Sequence, residues 1–239
     1  MDAARAVTID VRRGADRFVT RREGIELRHS FSFGEHYDAA NVSFGLLLAS
    51  NEMLLAPGAG FDPHEHRDIE IVTWVVAGAL EHADSSGAGG VIVPGMAQLL
   101  STGRAVEHSE RASASSPAEV VQMWVAPDAH GFEPSYGQRD FSADLEAGEL
   151  VVVASGDPQH ESALRIHQRG ATLSVARLAA GRSIELPVSA YVHVYVTTGT
   201  VKLPDGTTLD AGDAARVTDG GLHLESADSA EILTWTMTP

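Results

Sequence analysis

Residues 58–70 read GAGFDPHEHRDIE, and the architecture of the chain follows from them. The segment holds two histidines, His64 and His66, at positions i and i+2. In an extended strand such side chains share one face, and their Cα atoms lie about 6.6–7 Å apart. One metal ion can bind both imidazoles at the usual distance of about 2.1 Å. The pattern therefore predicts a β-strand that carries metal ligands.

A second pair, His108 and Glu110, has the same spacing and follows a segment that ends in Ser101-Thr102-Gly103. On facing strands of a barrel, the two pairs would supply three neutral imidazoles and one carboxylate. Such a set leaves coordination positions open for water, substrate or dioxygen. Either pair alone also occurs on ordinary exposed strands, so the argument depends on both pairs together.

The composition limits the possible functions. The chain has 239 residues, 44% of them apolar, which is enough for one large or two small domains. Its 17 basic and 33 acidic residues give a formal charge of -16, which disfavours direct nucleic-acid binding. It has no cysteine, so a tightly held metal must use nitrogen and oxygen ligands. The absence of an apolar run of about 20 residues and of an export signal indicates a soluble, cytoplasmic protein without membrane contact.

Short segments rich in β-branched residues, bounded by turn-forming residues, predict an all-β fold of sandwiches or barrels. The predicted strands are residues 42–48, 69–76, 91–93, 120–125, 150–154, 172–178, 192–196 and 232–237. Residues 127–149 contain several Gly and Pro and little periodicity, which is typical of a linker. We therefore expect a metal-binding domain at residues 1–130 and a second domain at residues 131–239.

Six blocks along the first half resemble the pirin family, and the resemblance covers roughly residues 20–137. The blocks are Arg28-His29-Ser30-Phe31-Ser32-Phe33, Ala56-Pro57-Gly58-Ala59-Gly60-Phe61, His64-x-His66-Arg67-Asp68, Glu70-Ile71-Val72-Thr73, Gly78-Ala79-Leu80-Glu81-His82 and His108-Ser109-Glu110. The spacing from Gly58 to Glu70 matches the first cupin motif, although Gly78 closes it one residue later than usual. The second half resembles the C-terminal cupin of bacterial pirin-like quercetinases in turn placement alone.

The resemblance implies a bicupin, with two β-barrel or jelly-roll domains in one chain. Its N-terminal barrel would bind one divalent transition metal through His64, His66, His108 and Glu110. Iron(II) is the expected ion, and manganese, nickel, cobalt, copper and zinc are alternatives. Glu65 and Ala105 depart from the family pattern, but neither change removes a ligand.

Two functions follow from the resemblance. The chain would be a quercetin 2,3-dioxygenase-like oxidoreductase that cleaves quercetin or a similar flavonol with dioxygen, with Glu110 as the catalytic proton acceptor. Alternatively, it would be a non-enzymatic metal or redox sensor that regulates a protein partner. The fold alone does not choose between them.

Other histidines carry weaker expectations. His82 would line the pocket or hold a structural position, and His29 would pack with neighbouring aromatic residues. The second domain has Leu186-Pro187-Val188-Ser189 where a cupin would place His-x-His, so we expect it to hold no metal despite His223 and Glu225. The remaining histidines are expected in ordinary strand or solvated positions, and these are His193 in a strand and His36, His130, His160 and His167 at the surface.

Overall fold

The computed structural model describes residues 7–160 and 164–239. These residues form twenty strands and two short 3₁₀ turns, Gly14–Asp16 and Asp144–Ala147, which confirms the all-β prediction. The strands up to residue 140 are β1 (Thr8–Arg12), β2 (Phe18–Arg22), β3 (Ile25–His29), β4 (Leu47–Leu55), β5 (Gly60–His66), β6 (Glu70–Gly78), β7 (Leu80–Asp84), β8 (Gly89–Ile92), β9 (Met96–Ser101), β10 (Val106–Ala112), β11 (Ala118–Val125) and β12 (Ser135–Asp140). Those that follow are β13 (Val151–Ser155), β14 (Leu164–Arg165), β15 (Ala171–Leu178), β16 (Ser183–Thr198), β17 (Thr200–Lys202), β18 (Thr208–Asp210), β19 (Ala214–Ser226) and β20 (Ala230–Met237).

The first half is built from two sheets that pack face to face. The larger has the strand order β12-β9-β6-β11-β4-β3-β2, and the smaller has the order β5-β10-β7-β8. One apolar cluster joins them, with Met53 and Val120 from the larger sheet against Leu80 and Ile92 from the smaller. The smaller sheet carries the predicted metal ligands on the face that it turns towards the larger one.

The second half is one sheet with the strand order β14-β13-β15-β20-β16-β19-β17-β18. Its strands enclose an apolar cluster that includes Val194, Val217 and Ile232, each with no exposed surface. The pairing of β16 with β19 shifts register between Leu186 and Ser189. Pro187 lies within that shift, where its missing N–H interrupts the ladder.

The two halves share a core. Trp74 from the first half donates its Nε1 hydrogen to Glu231 Oε1 of the second at 2.8 Å. In return, Trp235 Nε1 donates to the sulfur of Met123 at 3.1 Å. Both indoles are buried, so the contact between the halves is a packed apolar interior and not a wet surface.

Two sequence predictions need correction. The strand expected at residues 42–48 begins only at Leu47, because the chain before it makes just an isolated bridge between Phe44 and Leu47. The expected linker at residues 127–149 contains β12, which pairs with β9 of the first half. The N-terminal strand β1 pairs with β19 of the second half. The boundary at residue 130 stays a prediction, and strand pairing crosses it in both directions.

No helix in the described part of the chain is long and apolar enough to cross a membrane.

Candidate metal centre

The predicted metal ligands lie on paired strands of the small sheet and fall into two overlapping groups, His64 with His66 and His108, and His108 with Glu110 and His82. His64 on β5 lies opposite His108 on β10, and Glu110 on β10 lies opposite His82 on β7. The predicted strands are therefore neighbours in one sheet and do not face each other across the barrel. Gly60 allows this close pairing, since a Cβ at that position would lie 2.1 Å from the carbonyl oxygen of Glu110.

Three imidazoles form the centre of the site. Side-chain nitrogens of His64, His66 and His108 all lie within 4.8 Å of one another. His64 Nδ1 contacts the carbonyl oxygen of Asp62 at 2.8 Å, so this nitrogen carries the hydrogen and Nε2 keeps a free lone pair. Both ring nitrogens of His108 are buried without a hydrogen-bond partner. An unpartnered imidazole nitrogen beside two further imidazoles fits a metal ion, which would bind one of the two ring nitrogens of His108.

Glu110 lies on the His108 side of this group. Its carboxylate forms a second cluster with His108 and His82, again with all ligand atoms within 4.8 Å. Gln98 on β9 and Gln122 on β11 donate their side-chain amides to its two oxygens, the latter at 2.7 Å. Because both amides come from the opposite sheet, Glu110 is held across the interior of the barrel.

Burial sets the charge states of the site. It lowers the pKa of His108 to about 4 and also lowers the pKa of His66. Burial acts to raise the pKa of Glu110, but its contacts with the imidazoles of His82 and His108 and the hydrogen bond from Gln122 outweigh burial and lower that pKa. At neutral pH His66 and His108 are therefore neutral and Glu110 is ionised, the protonation states that metal binding needs.

A cavity of about 240 Å³ opens beside these ligands. Its walls include the aromatic side chains Phe33, Phe61 and Trp124, together with Leu27 and Met53. The Trp124 ring meets the His66 ring edge-on at 5.0 Å. An apolar cavity with a few convergent polar groups at one end is the usual form of a small-molecule site.

Sequence reasoning missed the residues that surround Glu110. Gln98 and Gln122 are buried within strands that are otherwise apolar, and a lone buried amide in such a strand was the available signal. Tyr136 donates its hydroxyl hydrogen to Gln98 Oε1 at 3.2 Å and stacks on His82 at 4.5 Å. His82, for which a pocket or a structural role was open, has its Nδ1 3.8 Å from Glu110 Oε1.

The other histidines divide into three groups. His130 is exposed, as expected, and His29 is buried against Phe33 as the packing hypothesis requires. His36 and His167 are not simply solvated: His36 bonds Thr20 and stacks on Phe18, and His167 stacks on Phe132. His160 is half-buried, His193 is fully buried, and His223 pairs with Glu185 instead of Glu225. Both clusters with metal-binding geometry among the described residues lie in the first half.

Comparison with known proteins agrees with this architecture. The family model described as Pirin matches residues 12–125, and the model described as Quercetinase C-terminal cupin domain matches residues 152–237. A Mycobacterium tuberculosis protein named "Putative quercetin 2,3-dioxygenase" is 47% identical over 96% of this chain and 95% of its own length. An Escherichia coli K12 protein named quercetin 2,3-dioxygenase is 31% identical over 88% of this chain and 90% of its own length.

A solved structure gives the same result in three dimensions. The crystal structure of the bacterial pirin YhhW from Escherichia coli in complex with nickel(II) aligns with a TM-score of 0.88 and 27% identity. The alignment covers 97% of this chain and 100% of that one. The bicupin fold expected from the sequence is therefore confirmed.

Proposed function

The chain belongs to the pirin family, and from that premise we propose that it is a metal-dependent dioxygenase of the quercetinase type. Its substrates would be dioxygen and quercetin or a similar flavonol, after the names of its relatives. The observation that carries the proposal is a group of three imidazoles, one of them, His108, buried without a hydrogen-bond partner, beside a buried carboxylate at one end of an aromatic-lined cavity. The cytoplasmic location stays a prediction.

The donor set fits one divalent transition metal, held by His64, His66, His108 and Glu110. Imidazole and carboxylate ligands suit iron, manganese, cobalt, nickel, copper and zinc. We propose iron(II) as the native ion, and the nickel(II) complex of the Escherichia coli pirin supports a divalent ion without fixing its identity. When bound, the ion would supply Lewis acidity that lowers the pKa of a substrate hydroxyl.

The protein's own residues would receive the proton of that hydroxyl. Glu110 is the natural acceptor, because it is ionised and because a carboxylate that binds a metal through one oxygen keeps a second oxygen for the proton, whereas a metal-bound imidazole of His64, His66 or His108 has no free lone pair. The amides of Gln98 and Gln122 hold both carboxylate oxygens, which orients the group before substrate arrives.

The cavity walls would bind and shield the substrate. Phe33, Phe61 and Trp124 present apolar ring surface to a flat aromatic molecule and exclude water from the carboxylate. A volume of about 240 Å³ is below the roughly 300–1,000 Å³ of most drug-sized sites, so we expect only part of a flavonol to enter.

Oxygen uptake tests the proposal. Iron-loaded protein should consume dioxygen when quercetin is added, and His108→Ala should lose at least about 100-fold of that rate together with the bound metal. His130→Ala, at an exposed histidine, is the matched control and should retain both. Full metal loading without oxygen uptake, with iron or any of the other five metals, would contradict the dioxygenase proposal and favour the sensor alternative.

A further inference from the structure

A second cavity, lined largely by polar residues, lies between the two halves. It is separate from the apolar cavity beside His64 and His66, here called the metal pocket. Its volume is about 220 Å³, and it has no lining residue in common with the metal pocket. The first half contributes Ser30 and Asn41 to its walls, and the second half contributes His193 on β16 and Arg216 on β19. The proposed function makes no use of this cavity.

Unpartnered polar atoms concentrate at this cavity. Nine buried side-chain nitrogen or oxygen atoms lack a hydrogen-bond partner among the described residues, and three of them belong to His82 and His108 at the metal centre. Four more belong to residues that line the second cavity, and these are Ser30 Oγ, Asn41 Oδ1, His193 Nε2 and Arg216 Nε. Buried polar groups are normally satisfied, so such a concentration indicates a missing ligand or water.

Arg216 is the charged member of this group. It is 5% exposed, and no carboxylate in the described part of the chain lies within ion-pair distance of it. Its guanidinium donates one hydrogen bond, to the carbonyl oxygen of Ser30 at 3.1 Å, and lies 4.4 Å from the ring centroid of Phe31. The aromatic contact stabilises one face of the cation but leaves Nε without an acceptor. Burial lowers the pKa of Arg216 to about 10, so the group stays positive at neutral pH.

Among the residues that line the cavity, arginines outnumber acidic residues by four to two. Three more arginines line the cavity, and each has a carboxylate partner: Arg12 pairs with Asp10, Arg13 with Asp213, and Arg17 with Glu52. The acidic residues in the lining are Asp16 and Asp38. A chain with 17 basic and 33 acidic residues thus places four arginines around one cavity and leaves Arg216 without an ion-pair partner among the described residues. Asp10 lies opposite Arg216 in the pairing of β1 with β19, but its carboxylate is bound by Arg12.

We propose that this cavity binds a small oxyanion, a phosphate or a carboxylate of similar size, as the counter-ion of Arg216. Arg216 Nε and the Ser30 hydroxyl would donate hydrogen bonds to it, and the His193 imidazole could contribute another. At about 30 Å³ per water molecule the cavity holds roughly seven waters, which admits a small anion and excludes a nucleotide.

The test uses inorganic phosphate as the probe on the full chain, by isothermal titration calorimetry and by broadening of the phosphate phosphorus resonance. We expect saturable binding of about one phosphate per chain, at least tenfold weaker in Arg216→Met. Arg104→Met removes an exposed arginine from a surface pair and should bind as the wild type does. Succinate and acetate in separate titrations distinguish a carboxylate ligand from phosphate, with chloride at matched ionic strength as the blank.

Two further variants make the result unambiguous. If Arg216→Met does not fold, Ser30→Ala should weaken binding at least fivefold, because a hydrogen bond to a charged group is lost. His108→Ala should retain full binding, which separates this cavity from an anion bound at the metal centre. The proposal is overturned if none of the anions binds saturably to the wild type, if folded Arg216→Met binds as tightly as the wild type, or if His108→Ala abolishes binding.

Discussion

Gln122 offers the sharpest test of how the residues of the proposed metal centre are held in place. Its amide nitrogen donates to Glu110 Oε2 at 2.7 Å, and its amide oxygen accepts a hydrogen bond from Trp124 Nε1 at 3.0 Å. Gln122→Met keeps the length of the side chain and removes both bonds. Glu110 would then be held by Gln98 alone, and the indole that packs on His66 would lose its anchor.

The size of the effect follows from these contacts. A hydrogen bond to a charged group contributes about 1.5–3 kcal/mol, and its loss leaves the buried carboxylate free to turn away from the imidazoles. Loss of an orienting partner behind a metal ligand typically lowers metal affinity or activity by about 10–100-fold. We therefore expect metal affinity in Gln122→Met to fall by about 10–100-fold, with the fold intact.

Competition with a chromophoric chelator measures that affinity, and urea denaturation of the metal-free protein checks the fold. Gln159→Met is the matched control, because Gln159 is exposed in a loop far along the chain from the site. A folded Gln122→Met protein that binds metal within twofold of the wild type would refute the argument that the opposite sheet orients Glu110.

Further predictions test the carboxylate, the metal and the interface between the halves. Glu110→Gln should retain much of the metal but lower oxygen uptake with quercetin by about 10²–10⁴-fold, whereas the exposed Glu107→Gln on the same strand should have the wild-type rate. Chelator treatment should lower the Tm of the wild type by about 5–10 °C, since metal at 100 times its Kd adds about 2.7 kcal/mol, and an unchanged Tm would exclude a stabilising ion. Glu52→Gln should reduce the free energy of unfolding in urea by about 3–5 kcal/mol, because it leaves the buried Arg17 without its carboxylate; a loss below about 1 kcal/mol would contradict this. Burial and the charge of Arg216 lower the pKa of His193 from 6.5 to about 3 in the folded chain. As the pH falls, the unfolded chain therefore protonates this residue well before the folded chain does. The free energy of unfolding should therefore fall as the pH is lowered from 6.5 towards 3, because the unfolded chain binds a proton there that the folded chain does not, and His193→Gln should show a shallower slope in phosphate-free buffer.

The positions of the metal-site pairs could be predicted because they depend on local geometry. Side chains at i and i+2 of a strand share a face whatever the rest of the chain does, so His64 with His66, and His108 with Glu110, follow from spacing alone. Their arrangement on adjacent strands did not follow, because strand order is set by contacts between distant segments. β5 pairs with β10, which lies far from it along the chain, and the local sequence pattern does not predict which distant strand will be its neighbour.

The residues around the site depend on such distant contacts throughout. Gln98 and Gln122 reach Glu110 from two strands of the other sheet, and nothing in their own neighbourhoods identifies their partner. Arg216 and Ser30 meet across 186 positions of the chain. The hydrophobic periodicity of a strand predicts which of its faces a residue occupies. It does not predict which side chains of a second sheet or a second domain contact that face.

The exchange of strands between the halves has a consequence for how the chain could be divided. A cut at residue 130 would separate β12 from β9 and β1 from β19. Each fragment would then present an unpaired backbone edge, the feature that leads isolated sheets to associate with other chains. Neither cupin is therefore an interchangeable module. Fragments of this protein are expected to reassemble with each other or to aggregate. A fusion protein that contains only one half would also need the strand of the other half that pairs with it.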